Sequence, residues 1–498
     1  MQNSSKKHMR LSSFIRYILL TISTFSVIYI LVSATIGVKM SYSYWFDELC
    51  TVTAVSLPFK QMLSMLTVDF NPPLYNFLMW IWVHIFNSSE IVCRLPSLIA
   101  ISAGLYMFII TARLLTAPAR YYVLILVGCT WILPFYAQET RSYALLFCMS
   151  SCTLYFFLKN NTKVTIMFAT VLGLTHFFGT IMSALILVWI LFANLRNRRI
   201  AIASIIAGIV IVIWPVTLLL FFSLGNKLGG NFWIVSAGPL DTLAMVLRAV
   251  LPIINMRFSF MLAPVSVMLL LTALFTFGII TVKMNCLKKV KKIFQEELLL
   301  TQKVAYLVSG CIIIPLLIDL HTPISQPRNF MVLIPCAIIF IAILMGIIAK
   351  SRVIFYVLVS FFLVMVYFYS LKITHAELHV KQSPLQNWRT ATQYIVELRA
   401  NYEEKLQVYY LIPDKTKWNN LINNYYLGII GNEEVYASPL YYYEIEQLPE
   451  HWIMLYGQMS PHKFCKRLNT ADIKYQIYYP PQALTNHVGV IYSDSIHK

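Results

Sequence analysis

Leu74-Tyr75-Asn76-Phe77-Leu78-Met79-Trp80-Ile81-Trp82-Val83-His84-Ile85-Phe86 decides how this chain is threaded. The stretch is apolar enough for a membrane helix and too short for one. At 1.5 Å per residue its 13 residues reach roughly 20 Å, against a hydrocarbon core of about 30 Å. Counted as a span, it would reverse the side of every later loop. The basic residues argue against that, because Lys and Arg favour cytoplasmic loops. Residues 1–374 hold 28 of them, and 19 fall in six clusters. These are the N-terminus, Arg113/Arg120, Lys159/Lys163, Arg196/Arg198/Arg199, Lys283 through Lys303, and Lys350/Arg352. With Leu74–Phe86 lying on or dipping into the outer leaflet, all six clusters stay inside.

The spans that follow are 13–38, 95–115, 120–138, 142–158, 163–176, 179–194, 199–222, 259–282, 303–319, 330–349 and 353–372. The N-terminus is then cytoplasmic and the C-terminus outside. Residues 13–38 read as an uncleaved signal anchor, since Lys6, Lys7, Arg10 and Arg16 precede a run long enough to span. Gln61–Val68 and Leu240–Ile254 read as further outer juxtamembrane helices. The expected fold is a polytopic α-helical membrane protein of about 11 transmembrane helices with outer juxtamembrane helices.

Composition agrees. The chain is 58% hydrophobic and 12% charged, against about 25% charged in soluble domains. Its net charge of +18 resides in short loops between spans, so it does not mark a nucleic-acid binder. Residues 375–498 carry 11 basic and 12 acidic residues, and strands alternate there with helices. Strands are expected at Gln407–Ile412, Trp452–Tyr456, Tyr475–Tyr479 and Val488–Tyr492, and helices at Lys417–Leu427 and Pro461–Leu468. The chain thus divides into a membrane domain, 1–374, and a small C-terminal α/β extracytoplasmic domain, 375–498. The nine cysteines form no CxxC pair and no metal-like spacing.

Carboxylates are scarce in the membrane domain. Residues 1–374 hold nine Asp and Glu, and the threading puts seven outside: Asp47, Glu48, Asp69, Glu90, Glu139, Asp241 and Asp319. Arg94, Arg141, Arg257 and Arg328 gather on the same rim. A charge near lipid is costly and marks a functional candidate. The adjacent Asp47-Glu48 pair offers a general base for a hydroxyl or amine, with its neighbour orienting a partner or a cation. Asp69 and Asn71 flank the Pro72-Pro73 turn. Glu139, Arg141 and Tyr143 lie between two spans, His176 in a tight outer hairpin, and Arg328 at the start of a span. The guanidiniums suit a phosphate. Each feature also has a plain structural reading: a solvated acidic pair, an interfacial Glu–Arg pair with a belt tyrosine, an interfacial histidine, or an arginine reaching lipid phosphate.

Taken in order, these motifs resemble a known family. Asp47-Glu48 is followed by Asp-x-Asn-Pro-Pro-Leu-Tyr (69–75), Ser89-Glu90, Arg94-Leu95-Pro96-Ser97, Gln138-Glu139-Thr140-Arg141-Ser142-Tyr143, Thr175-His176-Phe177-Phe178 and Pro327-Arg328-Asn329. The series, over about residues 13–350, is similar to the GT-C membrane glycosyltransferases of the family 39 type. These are the bacterial relatives of protein O-mannosyltransferases and aminoarabinose–lipid A transferases. The C-terminal domain resembles them only through Asn387-Trp388-Arg389. Asn71 stands where a histidine is common, and Arg328-Asn329 replaces the commoner Arg-Tyr.

The resemblance implies transfer of a sugar from a polyprenyl-phosphate-linked donor to an extracytoplasmic acceptor, a protein, lipid or cell-envelope glycan, at a bacterial inner membrane. Asp47 is then the catalytic base and Glu48 its partner. Asp69, Asn71, Glu139, Arg141, Tyr143, His176 and Arg328 bind substrate. No metal cage is expected, and the family has no uniform metal requirement, which leaves room for a divalent cation. The rival readings are a transporter or flippase of lipid-linked sugars and a non-catalytic family member. Mid-span regions almost free of charge disfavour the first, and the intact acidic pair disfavours the second. The threading predicts that a reporter fused after Lys372 is active outside the cytoplasm; activity of a cytoplasmic reporter there would overturn it.

Overall fold

A computed structural model describes residues 2–36, 40–66, 71–221, 239–250, 292–321, 323–351, 353–380, 386–402, 406–412, 417–431, 435–441, 444–457, 461–481 and 488–497. Five described helices are long and apolar enough to cross a membrane, which makes the chain an integral membrane protein. They are Tyr17–Thr35, Glu90–Ala112, Arg198–Thr217, Leu298–Asp319 and Tyr356–His375. Shorter apolar helices, including Ala119–Gly128, Tyr143–Leu158, Thr162–Gly173, Phe177–Ala193 and Ile334–Ala349, pack among them. The expected span 259–282, Arg257 and the expected helix end 251–254 lie outside the described residues.

Close approach between helices depends on small residues. Gly128 faces the first long helix, where an added Cβ would run into Ser26. Gly104, on the Glu90–Ala112 helix, meets Phe147 in the same way. Polar side chains on these helices turn back to their own backbone. Ser23 and Ser26 donate to the carbonyls of Leu19 and Ile22.

The expected span 120–138 is broken. One helix ends at Gly128 and a short one, Ile132–Tyr136, follows. Pro134 accounts for the break, because its ring clashes with the carbonyl four residues back and it has no N–H to donate.

Leu74–Ile85 is a helix of 12 residues. It buries Tyr75, Asn76, Met79 and Val83, and leaves Leu78, Ile81 and Ile85 uncovered, a face suited to lipid. Its tryptophans anchor it through their indole N–H groups. Trp80 donates to the Leu57 carbonyl and Trp82 to that of Val92. The helix packs on Phe46–Ser56, which also contacts Phe59–Leu66. That last helix stands where Gln61–Val68 was expected. Pro239–Val250 stands within the expected Leu240–Ile254 segment.

The C-terminal sheet has five strands: β1 Gln407–Ile412, β2 Ala437–Tyr441, β3 Trp452–Gly457, β4 Tyr475–Tyr478 and β5 Val488–Ser493. Their order is β2-β1-β3-β5-β4. β1 pairs in parallel with β2 and β3, while β3–β5 and β5–β4 are antiparallel. Side chains alternate between two cores, as the pleat dictates. Leu411, Trp452, Met454 and Tyr456 pack under the His462–Thr470 helix with Phe464 and Leu468. Val408, Tyr410, Ile453 and Leu455 join the helices Trp388–Ala400 and Lys417–Ile430, and this core runs on into Tyr44, Leu49 and Val52 of the membrane part. The sheet domain is therefore seated on the chain on both sides of Asp47.

Candidate active site

Glu48 and Asp47 are neighbours with different surroundings. Successive helix residues point about 100° apart, since 3.6 residues make a turn. Glu48 points inward and its side chain is 1% exposed; Asp47 keeps 22%. The buried Glu48 carboxylate takes two bonds from Arg94, Nε at 2.9 Å and Nη2 at 2.6 Å. It also accepts the backbone N–H of Thr140 at 2.8 Å and that of Trp45 at 3.3 Å. Arg94 spends its remaining donors on carbonyls, those of Met40, Tyr42 and Ser43. One buried ion pair thus joins four pieces of chain: the loop 40–45, the Phe46–Ser56 helix, the Glu90–Ala112 helix and the turn at 138–141. It also removes Arg94 from the guanidiniums expected to be open to a phosphate.

Asp47 meets Arg328 instead, with Nη1 to Oδ2 at 3.1 Å. Arg328 lies against the rings of Trp45 and Tyr143, 5.8 Å and 5.5 Å from their centroids. Arg141 donates to the Asp47 carbonyl and to the Thr51 hydroxyl, at 3.2 Å and 2.9 Å. Tyr143 is buried within electrostatic reach of Arg328, Arg141, Asp47 and Glu139. The residues expected from three distant motifs therefore share one site.

Other expected residues line its edge. Glu139 is buried, and its backbone carbonyl accepts the Ser97 hydroxyl. The ring of His176 stands 5.6 Å from that of Tyr143, centre to centre. Its Nδ1 accepts the Phe178 N–H and so caps the next helix. With Nδ1 accepting, the ring proton is on Nε2. Asn71 is half-buried beside Pro72. The turn that carries it is tied to the His176 hairpin, because Leu74 N–H donates to the Leu174 carbonyl. Asp69 lies outside the described residues. Among the described residues, no three His, Cys, Asp or Glu side chains gather as a metal site.

Three supports were not legible as such. Asp319 accepts the N–H groups of Ile324 and Ser325 and the Thr242 hydroxyl. It thereby shapes the loop that leads into the 3-10 turn Pro327–Val332, which carries Arg328. Glu90 accepts Arg389 through both oxygens at 2.6 Å and the Tyr426 hydroxyl at 2.8 Å. Gln386 accepts the Phe46 N–H at 2.9 Å. For Glu90 and Asp319 the advance signal was charge, since they are among the few ionisable groups at the rim of an apolar chain; Gln386 gave none.

The fold has relatives of known structure. ArnT from Cupriavidus metallidurans in the apo state superposes with a TM-score of 0.53 over 95% of this chain and 98% of that one, at 12% identity. A second structure of that ArnT, bound to undecaprenyl phosphate, aligns at 0.49 over the same shares and 12% identity. The Archaeoglobus fulgidus oligosaccharyltransferase in the apo form aligns at 0.45, covering 93% of this chain and 70% of that one, at 10% identity. No family model and no curated protein matches the chain by sequence. The likeness to apo ArnT shows the fold, which is the GT-C fold.

Breaking a buried ion pair on one side strands the other charge, at a cost of about 3–5 kcal/mol. Arg94→Met is expected to lose about that much, read as a fall in the thermal unfolding midpoint of the purified chain. An unchanged midpoint would show that the Glu48–Arg94 pair does not hold the site together.

Proposed function

We propose that this GT-C chain transfers a sugar from a polyprenyl-phosphate carrier to a hydroxyl or amine acceptor at the extracytoplasmic membrane surface, with Asp47 as the general base. The observation that carries the reading is the Asp47–Arg328 pair, a half-open carboxylate at 3.1 Å from a guanidinium. Transfer needs both groups. The acceptor proton must go to a base as the acceptor attacks the anomeric carbon. The bond from that carbon to the lipid phosphate breaks, and the phosphate leaves with the electron pair and added charge. Arginine stabilises such a leaving group and matches its oxygens.

The pairing also orders the steps. Arg328 is engaged with Asp47. An arriving phosphate competes for the same guanidinium, and Asp47 is released towards the acceptor. Arg141, fixed on the Asp47 carbonyl and Thr51, is the second candidate for the phosphate. Glu48 positions Asp47 through Arg94 rather than reacting itself. Asp69, Asn71, Glu139, Tyr143 and His176 are proposed as the walls that receive substrate, with His176 a neutral donor through Nε2. An apolar pocket of about 290 Å³ between the Leu74–Ile85 and Glu90–Ala112 helices, lined by Tyr75, Met79, Trp82, Pro96, Ala100 and Leu145, gives a lipid tail somewhere to lie.

Asp47→Asn is expected to cut transfer by about 10²–10⁴-fold, the usual share of a general base. Transfer is read by mass spectrometry as the lipid-linked sugar or surface glycan that changes when the gene is deleted and returns with a plasmid copy. Full restoration by Asp47→Asn would remove Asp47 as the base. Arg328→Ala is expected to weaken undecaprenyl phosphate binding by about tenfold or more, the worth of one charged hydrogen bond. Unchanged affinity would return Arg328 to a purely structural role.

A further inference from the structure

The helix that carries Asp47 is capped by the other domain. Phe46–Ser56 begins with backbone N–H groups that no earlier turn of the helix can accept. Ser, Thr, Asp or Asn usually supplies the acceptor from the N-cap position. Trp45 stands there and has none to give. The first of the helix N–H groups, that of Phe46, goes to Gln386 Oε1, at 2.9 Å and 340 residues further along the chain. Phe46 is the residue immediately before Asp47.

Gln386 is not loosely placed. It is buried, and its Oε1 also accepts the Trp388 indole N–H at 3.1 Å. The Trp388 ring lies flush on Gly457 of β3, where an added Cβ would run into the ring. The sheet thus backs one side of the indole. The neighbouring contacts act on the same short segment. Arg389 N–H donates to the Ser43 hydroxyl, and the Tyr426 hydroxyl accepts the Tyr44 N–H at 2.8 Å. Residues 43, 44 and 46 each contact the sheet domain, and Glu90 locks two of the partners, Arg389 and Tyr426.

We propose that Gln386 is a positioning residue for Asp47: through the Phe46 amide, the C-terminal domain fixes the first turn of the helix and so the direction in which Asp47 faces. This rests on the reading of Asp47 as the base. It makes the sheet domain a working part of the transfer site. A cap that served stability alone would change the amount of folded protein and leave the transfer rate per folded molecule intact.

The test compares Gln386→Met, which keeps the volume and removes the amide acceptor, with Gln386→Glu, which keeps an acceptor oxygen. Three readouts are taken: hydrogen exchange of the amides at 45–49 in the full chain in nanodiscs, affinity for undecaprenyl phosphate, and the glycan restored to gene-deleted cells per molecule of folded protein. Gln386→Met is expected to expose the Phe46 amide and to lower transfer by about ten- to a hundredfold, the scale set by small misplacements of a catalytic group. Undecaprenyl phosphate affinity is expected to fall by less than transfer does, since Arg141 keeps its bond to the Thr51 hydroxyl. Gln386→Glu should recover both protection and transfer.

Parental transfer in Gln386→Met, with the Phe46 amide exposed, would overturn the proposal. So would a Gln386→Glu chain that protects the amide and still transfers as poorly as Gln386→Met. Failure of the underlying reading is seen elsewhere, as parental transfer by Asp47→Asn, whatever the Gln386 variants do to exchange.

Discussion

The buried pair of Glu48 and Arg94 is the constraint on which the site rests. Two charges taken out of water are tolerable only if their remaining lone pairs and protons are satisfied. Here the carboxylate collects four bonds and the guanidinium gives five. The satisfaction comes from three separate stretches of chain, 40–56, 90–112 and 138–141, so the pair can form only when all three are in place. Arg94 belongs to a membrane helix, Thr140 to the turn that leads to Arg141 and Tyr143, and Glu48 to the helix of Asp47. The geometry around Asp47 is thus fixed by a contact in which Asp47 takes no part.

Two acidic residues in a row divide the labour. The inward carboxylate is committed to structure, and the outward one remains half-open beside Arg328. Arg328 in turn is aimed by a loop that Asp319 organises from its backbone amides. A second buried carboxylate, Glu90, does a comparable service on the other side by accepting Arg389 and Tyr426 from the sheet domain. Three of the scarce acids at the rim therefore serve as anchors, and one, Asp47, stays partly open beside Arg328.

Much of this was legible in the sequence. The apolar runs gave the helices, and the scarcity of charge singled out Asp47, Glu48, Glu139, Arg141 and Arg328. The β1 strand begins and ends where alternation says it should. What escaped depends on long-range contact. Arg94 looked like one more rim arginine, because nothing local says that its donors are all used. The cap from Gln386 spans 340 residues and leaves no local pattern. Strand β2 contains Pro439, which reads against a strand, yet β2 is an edge strand and proline is tolerated there. The helix Trp388–Ala400 was missed because its apolar face, Trp388, Ala391, Ile395 and Leu398, is sparse among polar residues and meaningful only once packed on the sheet.

The contact between Asp47 and Arg328 bears on the idle molecule as well as the working one. On the proposed reading, one oxygen of the base is held by a guanidinium until a phosphate draws that guanidinium away. Stray water then meets a carboxylate with one oxygen engaged rather than two free. Water can deprive a carrier of its sugar as surely as an acceptor can, so a base exposed at all times would squander activated sugar by hydrolysis. Tying that base to the very group that must greet the phosphate acts as a safety catch, released by the cargo itself.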